Sequence, residues 1–173
     1  MVEPLIYFGA VNLLALAAAM ATGYMGEKMF MAHFVLGFLG ALAATLWIGV
    51  AMFYLIYAGQ AVNRAREVGL ATEEDVRYQV EAKKKLFPWL MAAILSLIAG
   101  PFLGALSQAQ GSSVIAHHAV GWISLALFVF CVFRGAEKLR QTGRTIEKIT
   151  GAVEEIRKRK AAAKPNEPSA PSS

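Results

Sequence analysis

Four long apolar runs divide the chain, and charged residues are confined to what lies outside them. The runs cover residues 5–22, 29–58, 86–106 and 114–133. A helix needs roughly 20 apolar residues to cross a membrane core, so each run is a candidate span. The second is the longest. From Met29 to Ala58 it holds no acidic or basic side chain and a single histidine, His33. A titratable side chain in such a run is costly in a membrane and is a functional-site candidate for that reason.

The connecting segments predict how the spans begin and end. The second run continues through Val62, Arg64 and Arg66 to Gly69, which reads as a C-cap glycine. Thr72 followed by Glu73, Glu74 and Asp75 reads as an N-cap with an acidic first turn. The second and third spans should therefore extend past the membrane as a charged helical hairpin. Pro88 falls near the entry of the third span, and Gly100-Pro101 falls inside it and predicts a kink. Ser96, Gly100 and Gly104 are spaced four apart, a stripe suited to close helix packing. Residues 107–113 form an uncharged turn. Asn12, in the middle of the first run, should face another helix. Ala19-Met20-Ala21 resembles a signal cleavage site, but the leader Met1-Val2-Glu3-Pro4 lacks a positive charge, so the first run is expected to be a span.

Beyond Gly135 the period changes. Ile146, Ile149, Val153 and Ile156 recur at helical spacing among Lys, Arg and Glu. An amphipathic helix of this kind lies on a leaflet or pairs with a partner helix. Residues 161–173 are rich in Pro, Ser and Ala and are expected to be disordered. The expected fold is all-α, an integral membrane four-helix bundle with cytoplasmic helical extensions. Its expected parts are a transmembrane domain at 1–138, a basic amphipathic helix at 139–160 and a disordered tail at 161–173.

Composition narrows the class. The chain has 173 residues, is 57% hydrophobic and carries a net charge of +5. Its mean hydropathy of +0.48 is that of a membrane protein rather than a soluble domain. Of 17 Lys and Arg, only Lys28 lies between the first two runs. The rest fall in the hairpin or from Arg134 onward, two regions that a four-span topology puts on one side. The positive-inside rule makes that side cytoplasmic, with both termini there, in a plasma (inner) membrane. Nucleic acid is discounted as a partner, because the basic residues flank spans and have no stacking aromatics among them. The one cysteine, Cys131, excludes an internal disulfide and reads as a small buried hydrophobe.

Candidate chemistry rests on three histidines. Spans two and four run in the same direction, so His33, His117 and His118 lie at comparable depth in the outer half. His33 precedes Gly37 by four residues, and His117 precedes Gly121 by four. Parallel helices with imidazoles at matched depth can ligate one metal between them, and a haem iron with two axial imidazoles fits. A glycine one turn from each ligand leaves room for a flat macrocycle. Gly37, Ala41 and Ala44 share the face of His33. Phe34, Phe38, Trp122 and Phe128 could wall the pocket, and Lys28 is the only cation near enough to pair with propionates. His118 is the alternative ligand or a propionate contact. A zinc or copper site on all three histidines is a further reading, although no carboxylate or thiol lies near them. No P-loop, dinucleotide fingerprint, zinc-protease motif or hydrolase triad is present.

This layout resembles the small four-helix membrane b-type cytochromes, namely the cytochrome b561 group and the haem-bearing anchors of succinate dehydrogenase. The resemblance covers residues 5–133 and is carried by the His-x-x-x-Gly placement. The cytochrome b561 pattern has two haems on four histidines, whereas this chain has three histidines, all at one end. The resemblance therefore implies one haem b, as in the anchor proteins, with a quinone site beside it. The implied function is electron transfer between a quinone or external donor and a partner, either a redox subunit or a second copy. The competing reading is a haem-free structural or assembly subunit, with the histidines as packing residues.

Overall fold

The computed structural model describes residues 2–25, 27–110 and 114–162. They form four helices: α1 Glu3–Gly23, α2 Phe30–Glu67, α3 Glu73–Gln110 and α4 Val114–Ala162. A single 3-10 turn, Glu27–Met29, precedes α2. All four helices are long and apolar enough to cross a membrane. They run alternately up and down. α1 packs on α2, α2 on α3 and α3 on α4, while α4 also touches α1 and α2. The histidines lie at one end of the bundle, and both ends of the described chain belong to the other, charged end.

Local chemistry explains the α2–α3 turn. Gly69 takes φ +75, a conformation that side chains disfavour. Leu70 N–H donates to Ala65 O at 2.8 Å and Gly69 N–H to Arg66 O at 3.0 Å, the paired bonds of a Schellman C-cap. Two residues on, Asp75 N–H donates to Thr72 Oγ1, and Thr72 N–H and Oγ1–H donate to Asp75 Oδ2. That is a reciprocal capping box. The two Thr72 donors hold the Asp75 carboxyl below its usual range.

The third and fourth helices exceed their expected limits. α3 continues through both Pro88 and Pro101 and ends at Gln110. It thereby takes in residues 107–110 of the expected turn, while 111–113 lie outside the described residues. Prolines are tolerated in apolar helices where neighbouring helices re-satisfy the freed backbone. α4 is one unbroken helix from 114 to 162, with no interruption at Gly135. It takes in Ala161 and Ala162 of the expected disordered tail, whose remainder lies outside the described residues.

The stretch expected as a separate amphipathic helix begins inside the bundle. Leu139 and Thr142 are fully buried. Arg140 makes a two-pronged ion pair with Glu3 at 3.0 and 3.2 Å. Thr142 Oγ1 donates to Gln79 Oε1 at 3.3 Å. These contacts set α1, α3 and α4 in register at the charged end.

Mid-bundle, the packing centres on Trp47, which is fully buried. Its Nε1–H donates to Leu5 O at 2.6 Å, and Phe128 meets it edge-on at 5.5 Å. Asn12 is buried as expected, and so is Cys131. Gly9 is the floor under the indole: a Cβ there would sit 2.8 Å from two ring atoms. Gly9→Ala must displace Trp47, so it should cost about 1–3 kcal/mol, the usual range for overpacking. Thermal unfolding in detergent measures this. Gly49→Ala, whose Cβ would meet nothing within 4 Å, should leave the transition in place.

Candidate functional site

α1 ends and α2 begins with the same device that ends α3 and begins α4. His33 Nδ1–H donates to Ala19 O at 2.8 Å, and the ring lies over Gly23, where a Cβ would come within 2.9 Å of it. His117 Nδ1–H donates to Gly100 O at 3.0 Å, and its ring lies over Gly104, where a Cβ would come within 3.0 Å. In each hairpin the accepting carbonyl and the glycine under the ring are four residues apart on the first helix. One helical turn brings them onto the same face. The glycine gives the ring a bed and the carbonyl fixes its orientation.

The chemical consequence follows from valence. A carbonyl oxygen can only accept, so both rings carry their proton on Nδ1 when neutral. Each Nε2 is then a bare lone pair. The two Nε2 atoms face each other 3.5 Å apart, with the rings nearly perpendicular at 82°. Two acceptors opposed in this way repel unless a proton or a metal ion lies between them. Metal-binding histidines commonly donate their other ring N–H to a backbone carbonyl, which fixes the tautomer and raises basicity. Trans coordination needs nitrogens roughly 4 Å apart, twice an imidazole nitrogen–metal bond. A ring shift of about half an ångström reaches that spacing.

Beside the pair lies a cavity of about 860 Å³, lined from all four helices. Its size suits an organic cofactor, since such sites span roughly 300–1,000 Å³. Leu16, Ala41, Leu97 and Leu125 line its apolar depth; Thr22, Ser107 and His118 give it polar groups towards the histidine end. Gly37 and Gly100 border it, and a Cβ at either would meet nothing within 4 Å. Open space of this kind is what a flat occupant between the imidazoles requires.

The sequence-predicted residues divide as follows. His33, His117, His118, Gly37, Gly121, Ala41, Phe34 and Phe38 all border the cavity. Gly121 also packs on α1, since a Cβ there would sit 2.9 Å from Met20 Sδ. Ala44 and Phe128 belong to the buried core below it. Trp122 donates from Nε1 to Tyr24 Oη at 2.8 Å and is not part of the lining. Lys28 is exposed on the 3-10 turn and does not border the cavity. His118 stacks on Tyr24 at 4.9 Å and 17°, while Nε2 of its neighbour His117 faces His33. Among the described residues no three His, Cys, Asp or Glu side chains converge as a metal site. Gly100 and Gly104, expected to pack helices, also border the cavity, and His117 of α4 occupies the space over Gly104.

Ala19, Gly23 and Tyr24 were not visible as site residues from the sequence. Comparing the two hairpins as whole units would reveal the first two. Ala19 and Gly23 precede His33 and Gly37 as Gly100 and Gly104 precede His117 and Gly121, with 14 and 17 residues from carbonyl to imidazole. No protein-family model, curated protein or solved structure matches the chain.

The tautomers can be measured directly. In ¹⁵N NMR of the cofactor-free protein, the neutral rings of His33 and His117 should both carry hydrogen on Nδ1. Gly104→Ala should disturb the His117 signals most, with a smaller response at His33, whose Nε2 lies 3.5 Å away, and Gly37→Ala should change neither. An Nε2–H tautomer on either ring would contradict the carbonyl bonds.

Proposed function

We propose that this chain is a four-pass inner-membrane protein with cytoplasmic termini, and that it is a b-type cytochrome subunit holding one haem between His33 and His117. The observation carrying this reading is the opposed imidazole pair, each ring fixed by a carbonyl with its Nε2 lone pair directed at the other. The orientation rests on the basic residues, sixteen of seventeen of which lie in the α2–α3 hairpin or from Arg134 onward.

The residues present fit a haem. His33 and His117 would hold its iron, their rings fixed by Ala19 O and Gly100 O. Gly37 and Gly100 would leave room for it, since neither adds a side chain to the cavity. The apolar lining keeps water from the ligands, and Thr22, Ser107 and His118 offer polar groups to its carboxylate edge. Bound there, haem supplies a one-electron iron couple whose potential answers to burial and to the hydrogen bonds of its ligands. A single redox centre near one face serves exchange with an external donor or a quinone, and onward transfer to a redox partner or a second copy.

Absorption spectroscopy of the purified protein tests the reading. A Soret band with sharp reduced α and β bands is expected; a colourless protein would leave a haem-free structural subunit as the better account. His33→Ala and His117→Ala should each abolish the low-spin spectrum, whereas His118→Ala should largely keep it.

Orientation has its own test. Cysteines placed at Ser112 and Asn166 should react with impermeant reagents from opposite sides of the membrane, and labelling from a common side would refute the topology.

A further inference from the structure

The cavity is not walled equally on all sides. Phe34 and Phe38 border it, yet they are 57% and 51% exposed on the outside of the bundle. At this wall a single layer of phenyl rings separates the cavity from whatever surrounds the helices. The two rings lie one helical turn apart, nearly parallel at 9°, with centroids 6.3 Å apart. Between them on the chain is Gly37, which adds no side chain to the wall and faces open space. A phenyl ring with free volume behind it can swing by a rotamer change, a motion of picoseconds to nanoseconds for exposed side chains.

At the histidine end the helices are tied differently. Tyr24, just past α1, reaches across to α4. Its ring stacks on His118, and its hydroxyl oxygen accepts from Trp122 Nε1–H. This strap ties α1 to α4 at the histidine end. Opening it requires breaking a hydrogen bond and a stacking contact together. In a bilayer, Phe34 and Phe38 face acyl chains, whereas Tyr24 and Trp122 sit at the polar interface where such rings anchor.

We infer that the cavity is reached sideways, through the Phe34–Phe38 wall of α2, and that its occupant is a membrane-dissolved, flat, apolar molecule with one polar edge. The polar edge follows from the lining, with Thr22, Ser107 and His118 towards the histidine end and Leu16, Ala41 and Leu97 deeper. The route stands on the geometry of the wall. Only the occupant's identity rests on the haem reading above.

Gly37→Cys, in a Cys131→Ala background and in lipid vesicles, tests the route. An uncharged, lipid-partitioning maleimide and a charged, impermeant thiol reagent supplied at the histidine end are compared. Each rate is scaled to Lys28→Cys, an exposed control. Gly100→Cys is the second probe should the first variant fold poorly. The uncharged reagent should label the cavity cysteine at least several-fold faster than the charged one. Phe34→Ala with Phe38→Ala should raise that rate several-fold, and Tyr24→Ala should leave it unchanged. If the charged reagent labels the cavity as fast as the exposed control, or if Tyr24→Ala accelerates labelling and the phenyl replacements do not, entry is from the end and the inference fails. Haemin added beforehand separates the two readings. Protection of the cavity cysteine supports a haem there whatever the route, and sideways labelling without protection removes the haem and keeps the portal.

Discussion

An imidazole whose Nδ1 donates to a helix carbonyl has lost its choice of tautomer and most of its freedom to rotate. Here that constraint is imposed twice, from Ala19 O and from Gly100 O. Both bonds depend on a glycine one turn further along, because any larger residue would lift the ring away from the carbonyl. The glycines in turn depend on register. If α1 slid against α2 by one residue, Gly23 would leave the His33 face and a side chain would enter. The facing lone pairs are thus the product of helix packing rather than of either histidine alone.

Register is set far from the histidines. The Schellman turn at Gly69 and the capping box at Thr72 fix the length and entry of the α2–α3 hairpin. Trp47 locks α1 to α2 by its bond to Leu5 O, and α4 closes on it through Phe128 and Gly135. Arg140 and Glu3 join the first and last helices at the charged end. The ion pair is half exposed, and pairs of that kind contribute little energy. Its geometry still records that α1 and α4 meet at one depth. The buried Trp47 layer beneath the cavity also closes it towards the charged end.

Much of the fold was legible because its signals are local. Apolar length marks a span, a glycine after a helix marks its end, and a threonine followed by acids marks a beginning. The long apolar helix at 29–58, the cap at Gly69 and the start at Thr72 were all read correctly on such grounds. The limits of α3 and α4 were not. The uncharged stretch after Leu106 looks like a turn although α3 runs on to Gln110, and a change of period at Gly135 looks like a boundary until Leu139 and Thr142 are seen to be buried.

At the site the division is sharper. Sequence alone determined that three histidines share one end of the bundle, because span parity fixes direction and hence depth. It also determined the paired His-x-x-x-Gly spacing, since four residues is one helical turn whatever the surroundings. Tertiary structure decided which histidine faces which, that His118 turns to Tyr24, that Gly23 and Gly104 receive the rings, and that Phe128 belongs to Trp47 rather than to the cavity. These are contacts between helices. They depend on rotation about each helix axis and on sliding along it, and neither quantity is written in the spacing of residues on a single helix.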